Sequence, residues 1–94
     1  MIGPNEFYDV VAADDENTEV EFGKPMTSIR IQNDNPAEGD SVFITLASRV
    51  ATLESIEVKA GELFQVTLPA PTDGIGLICN NSETASVRVA AWGG

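Results

Sequence analysis

The chain has 94 residues, 43% of them hydrophobic, and carries 15 acids against 5 bases for a formal charge of −10. That length predicts a single domain over residues 1–94, and the apolar share is too high for a disordered chain. An excess of acid repels phosphate backbones and anionic lipid, which excludes nucleic-acid and membrane-surface partners.

There is no histidine and one cysteine, Cys79. The commonest general base, the usual triad partner and the commonest metal ligand are therefore missing. A lone cysteine forms no intrachain disulfide and builds no thiolate zinc site. No run reaches the roughly 18 apolar residues of a membrane helix. The opening MIGPNEFYDV has no basic residue ahead of an apolar core, so no signal peptide is predicted and synthesis in a cytoplasm is expected.

Residues 1–6 contain Gly3, Pro4 and Asn5 and read as a flexible N-terminal arm. Phe7 to Ala12 is a candidate first strand, in which Tyr8 and Val10 compete with Phe7 and Val11 for the core face. After the acidic turn Ala13 to Asn17, Thr18 to Phe22 alternates, with Val20 and Phe22 on one face and Glu19 and Glu21 on the other. Gly23-Lys24-Pro25 reads as a break. Met26 to Gln32 resumes with Ile29 and Ile31 inward and Ser28, Arg30 and Gln32 outward.

Asn33 to Asp40 is a loop rich in Asn, Pro and Gly. Ser41 to Ala47 puts Val42, Ile44 and Leu46 on one face. Ser48 to Thr52 fits either a loop or a turn of helix before a strand over Leu53 to Val58. From Ile56 to Trp92 the apolar runs are separated by Lys59-Ala60-Gly61, by Pro69 to Gly74 and by Asn80 to Glu83, the pattern of an antiparallel meander. Phe64 to Leu68 and Val87 to Ala91 alternate, whereas Ile75 to Cys79 is apolar on both faces, as in a covered central strand. The prediction is an all-β fold: a compact antiparallel sandwich of about eight short strands, of jelly-roll or Greek-key type.

Few residues invite chemistry. The acids of Asn33 to Asp40, joined by Asp14, Asp15 or Glu16, suggest calcium, but the loop fails the EF-hand pattern: twelve positions from Asp34 lead to Thr45, not Glu. A solvated turn is the plainer reading. Paired carboxylates are open to a glycosidase reading, yet some pair must lie close in any chain with 15 acids, and a small sandwich has little room for a cleft. Asn80-Asn81-Ser82 matches a glycosylation sequon, with no secretory signal to give it meaning. Cys79 alternates with Ile75 and Leu77 and reads as a small buried hydrophobe.

The aromatics are more informative. By strand parity Phe43 lies opposite Val42 and Ile44, and Trp92 shares a face with Arg88 and Ala90. Both point away from the expected core, where either a covering segment or a subunit interface accounts for them. Phe43, Arg88, Trp92 and Tyr8 are the candidate interface residues. No catalytic residue, metal ligand or cofactor is expected.

The rhythm SIRIQND, then SVFITLASRVATLESIEVKAGELFQVTLPAPTDGIGLICNNSETASVRVAAW, resembles small virion proteins of tailed bacteriophages over roughly residues 26–92. The shared features are a K-A-G-E turn at Lys59 to Glu62, a Pro-rich loop, a buried strand, an Asn/Ser turn and a V-x-V strand at Val87 and Val89 ending near Trp92. The resemblance implies a capsid decoration (cement) or head-fibre protein at the capsid surface. It further implies a major capsid protein or other virion protein as partner and a homo-oligomer, often a trimer. The acidic N-terminal third has no counterpart in it. A carbohydrate-binding or host-adhesion module is the alternative, weakened by the placement of Tyr8 and Trp92 at opposite ends of the chain. A hydrolase is the third reading.

Overall fold

Alternation of apolar and polar residues builds six strands: β1 (Glu6–Ala13), β2 (Thr18–Asn33), β3 (Val42–Thr45), β4 (Ile56–Val58), β5 (Leu63–Ile78) and β6 (Ala85–Trp92). They belong to a computed structural model that describes residues 6–35, 39–46 and 55–93. All pairings are antiparallel, in one sheet of order β1-β6-β2-β5-β3-β4. The described residues contain no helix, and none long and apolar enough to cross a membrane. The Cα radius of gyration of 12.3 Å matches the ~12 Å of a folded chain this long. Of the expected loose arm at residues 1–6, residues 1–5 lie outside the described residues, as does the ambiguous Ser48 to Thr52, while Glu6 is the first residue of β1.

The all-β prediction holds among the described residues, where the strands number six rather than about eight. Two expected breaks are bends inside continuous strands of 16 residues each, β2 and β5. The β2–β5 register runs from Thr18↔Leu77 to Glu21↔Gly74, shifts at Met26↔Thr72, and resumes from Ser28↔Thr67 to Gln32↔Leu63. Each strand thus bulges by three residues opposite the other. Gly23 turns at φ 85°, a value that costs glycine little, while Pro25, Pro69 and Pro71 occupy bulged positions where no ladder N–H is needed.

The expected meander from Ile56 onward is also corrected. β4 pairs with β3, β5 with β2 and β3, and β6 with β1 and β2; no two of β4, β5 and β6 are neighbours. The Lys59–Glu62 turn does form, closed by Glu62 N donating to Lys59 O at 2.9 Å. Gly61 (φ 80°) then donates to Asn33 O at 2.9 Å, and Asn33 N donates to Glu62 O at 3.0 Å, so the chain is passed from β4 to the end of β2. A hairpin rule sees the turn and not this third strand.

The sheet bends around one core. Val20, Phe22, Ile29 and Ile31 of β2 pack with Val42 and Ile44 of β3, Ile75 and Leu77 of β5, and Val87 and Val89 of β6. The expected inward faces of β2 are observed, with Ile29 and Ile31 fully buried and Arg30 exposed. In β1 the competition is settled: Phe7 and Val11 pack against the core, while Tyr8 and Val10 stay 48% and 52% exposed.

Candidate functional site

The second half of β2 and the first half of β5 join β1 and β6 in a four-stranded surface whose outward side chains fall into cross-strand rows. One row reads Glu6, Trp92, Ser28, Thr67; the next reads Tyr8, Ala90, Arg30, Gln65; the third reads Val10, Arg88, Gln32, Leu63. Side chains so opposed sit within reach of one another. Every residue of the three rows is exposed or half-buried, Leu63 at 56% among them.

Three candidate interface residues, Tyr8, Arg88 and Trp92, therefore share one face. Phe43 does not join them. It lies on the outer side of the other half of the sheet, paired with Ile78 and Glu57, only 9% exposed and outside the core cluster. Its burial takes it off the accessible surface of the single chain.

At the centre of the face the small Ala90 leaves a trough of about 380 Å3 lined by Glu6, Phe7, Tyr8, Arg30, Ala90, Ala91 and Trp92. Arg30 forms one wall. Its Nε donates to Gln65 Oε1 at 3.2 Å, and its guanidinium carbon stands 5.7 Å from the centre of the Trp92 ring, within cation–π range. Arg88, one row away, donates from Nε to Asp34 Oδ2 at 2.6 Å; the pair is solvent-facing and contributes little to stability.

Arg30 is the residue the sequence reading missed. Its outward direction was legible, but its place beside Trp92 depends on the β2–β6 pairing, which no local signal announces. The separation of Tyr8 from Trp92 in sequence misled for the same reason. Because Glu6 pairs with Trp92 and Tyr8 with Ala90, the two rings line one trough.

Three of the acids considered for calcium accept hydrogen bonds from backbone N–H groups of the chain. Asp40 Oδ2 accepts from Thr84 N at 3.1 Å, Asp14 Oδ1 from Glu16 N at 2.9 Å, and Asp15 Oδ2 from Ser82 N at 3.0 Å. Among the described residues no three potential metal ligands converge. Asn33 and Asn35 brace the same end. Asn33 Nδ2 donates to Asp40 O (2.9 Å) and Val58 O (3.0 Å), and Asn35 Nδ2 to Asp40 O (3.1 Å) and Thr84 O (2.9 Å). Cys79 is 1% exposed, and burial first, then the charges of Asp40, Glu83, Asp14 and Asp15, push its thiol up to about 11. Such a group stays protonated and is a poor nucleophile at neutral pH.

No protein-family model matches the sequence, and no curated protein matches it either.

Proposed function

We propose that the chain is a non-enzymatic virion structural protein, a capsid decoration (cement) protein of a tailed bacteriophage that binds the assembled head. The observation that carries this reading is the three-row outer face. Tyr8 and Trp92 stand there beside Arg30 and Arg88, the aromatic and arginine side chains enriched at interface centres, with the exposed Val10 and Leu63 adding apolar area. The turn-and-strand resemblance to phage virion proteins points the same way. The bent sheet acts in this reading as a rigid sandwich of jelly-roll or Greek-key type.

Four strands about 4.8 Å apart and three rows give a face on the order of 350 Å2, well under the ~800 Å2 per partner of a standard interface. One such contact binds weakly, so attachment needs several copies acting together. A homo-oligomer such as a trimer, engaging neighbouring subunits of the major capsid protein, supplies that multivalency and stabilises only the assembled shell. The acidic N-terminal third complements a basic patch on the shell and raises the association rate. Co-sedimentation of the purified chain with cognate phage heads tests the proposal. A chain that stays in the supernatant at saturating heads sinks it, and an on-rate indifferent to salt sinks the steering role of the acids.

A second reading is favoured by one specific feature, the trough that brings Tyr8, Trp92 and Arg30 together. Aromatic walls with planar polar groups between them suit a sugar ring, and the module then binds carbohydrate on a host or particle surface. Glycan-array binding by the isolated chain tests it, and an array without a hit overturns it.

A further inference from the structure

We propose that the trough takes a carboxylated pyranose, a uronic-acid-type sugar within an otherwise neutral glycan; this rests on the carbohydrate reading above. Gln65 and Trp92 both contact the Arg30 guanidinium, yet its two Nη groups meet no acceptor and no carboxylate among the described residues. Arg88 on the same face is by contrast paired with Asp34. A planar fork with free donors matches a carboxylate in two-pronged geometry, which a neutral hydroxyl cannot reproduce.

The remaining walls set the ring. Tyr8 and Trp92 offer apolar faces on which the C–H side of a pyranose lies, and the Ala90 methyl forms a low floor between them. Glu6, across from Trp92, accepts from sugar hydroxyls and repels a carboxylate, so the sugar's acid points to Arg30 and its hydroxyls to Glu6. The trough, about 380 Å3, falls at the small end of the ~300–1,000 Å3 range of small-molecule sites. The overall charge of −10 is felt only weakly beyond the ~8 Å screening distance, so one sugar carboxylate placed at Arg30 is tolerated.

Trp92 is the only tryptophan, so its fluorescence reads the trough directly in the full chain. Titrations use methyl glucuronide and methyl glucoside, with Arg30→Gln, Arg30→Lys and the charge-matched control Lys59→Gln. The glucuronide is expected to saturate the signal at a concentration about ten-fold or more below the glucoside, the effect of one charge-assisted contact. Arg30→Gln abolishes that preference, Arg30→Lys weakens it, and Lys59→Gln preserves it. Equal binding of the two sugars, or a preference that survives Arg30→Gln, overturns the carboxylate assignment and leaves the carbohydrate reading standing. Saturable binding of neither overturns both.

Discussion

The ring of Phe7 in β1 lies 5.1 Å, centre to centre, from the ring of Phe22 in the first half of β2, tilted by 51°. β1 hydrogen-bonds to β6 and never to β2, so this contact crosses the core between two parts of the bent sheet. Phe22 is 6% exposed and Phe7 is half-buried. Phe22→Ala is expected to cost about 3–5 kcal/mol in urea unfolding, and Phe7→Ala less. The double variant should fall short of the sum by about 0.5–1.5 kcal/mol, the coupling of an aromatic pair. Strict additivity would show that the rings do not support each other.

The faces of this fold were legible in sequence and its neighbours were not. Alternation placed Ile29 and Ile31 inward and Arg30 outward because a period of two is local. Gly23 and Pro25 were legible as a disturbance, but a bulge and a turn use the same residues, and only the β5 strand opposite decides between them. Trp92 was placed on the correct side of β6, whereas its neighbour Arg30 lies 62 positions away in sequence, since 92 minus 30 is 62. Nothing in either segment encodes that distance.

Asn33 is the single buried polar side chain among the described residues. Its Nδ2 serves the carbonyls of Asp40 and Val58, and its Oδ1 accepts from Asn35 N at 3.0 Å. Asn33→Leu leaves the Val58 carbonyl and the Asn35 N–H without these partners and should cost about 1–3 kcal/mol. Asn33→Asp, of the same shape, should cost more, because it turns an acceptor and a charge toward two carbonyls. Chemical denaturation of both variants checks the order; a neutral Asn33→Asp at pH 7 contradicts the brace.

The thiol of Cys79 rises from an ordinary value of 9.0 to about 11 in the folded chain. In the unfolded chain it ionises first, so the unfolded state binds fewer protons between these values and stability falls as pH climbs from 9 to 11. Below that window the group contributes no pH dependence. Cys79→Ser or Cys79→Ala should flatten this decline in thermal melts. Alkylation by iodoacetamide at pH 8 should track global unfolding, and rapid labelling of the native chain would refute the burial.

Asp9 sits in β1 between Phe7 and Val11 on the core-facing side, yet it is exposed and its Oδ1 accepts from Val10 N at 2.9 Å. An inward charge that occupies an edge N–H keeps another strand from adding there. Asp9→Val should promote concentration-dependent association through β1, read by light scattering at rising protein concentration. A scattering mass equal to that of the parent chain across the series would remove this role.

Among the described strands β1 has only β6 as a partner, the last of the six in chain order, and only β3 and β4 are neighbours both along the chain and in the sheet. β1, which precedes the other five described strands in the chain, therefore has no sheet partner until β6 is in place. Folding dominated by such distant pairings is slow, in the range of milliseconds to seconds. Until β6 pairs with β1, Phe7 and Val11 lack the core they pack against, and Asp9 between them with Asp14, Asp15 and Glu16 just after them are the charges that oppose association of that segment.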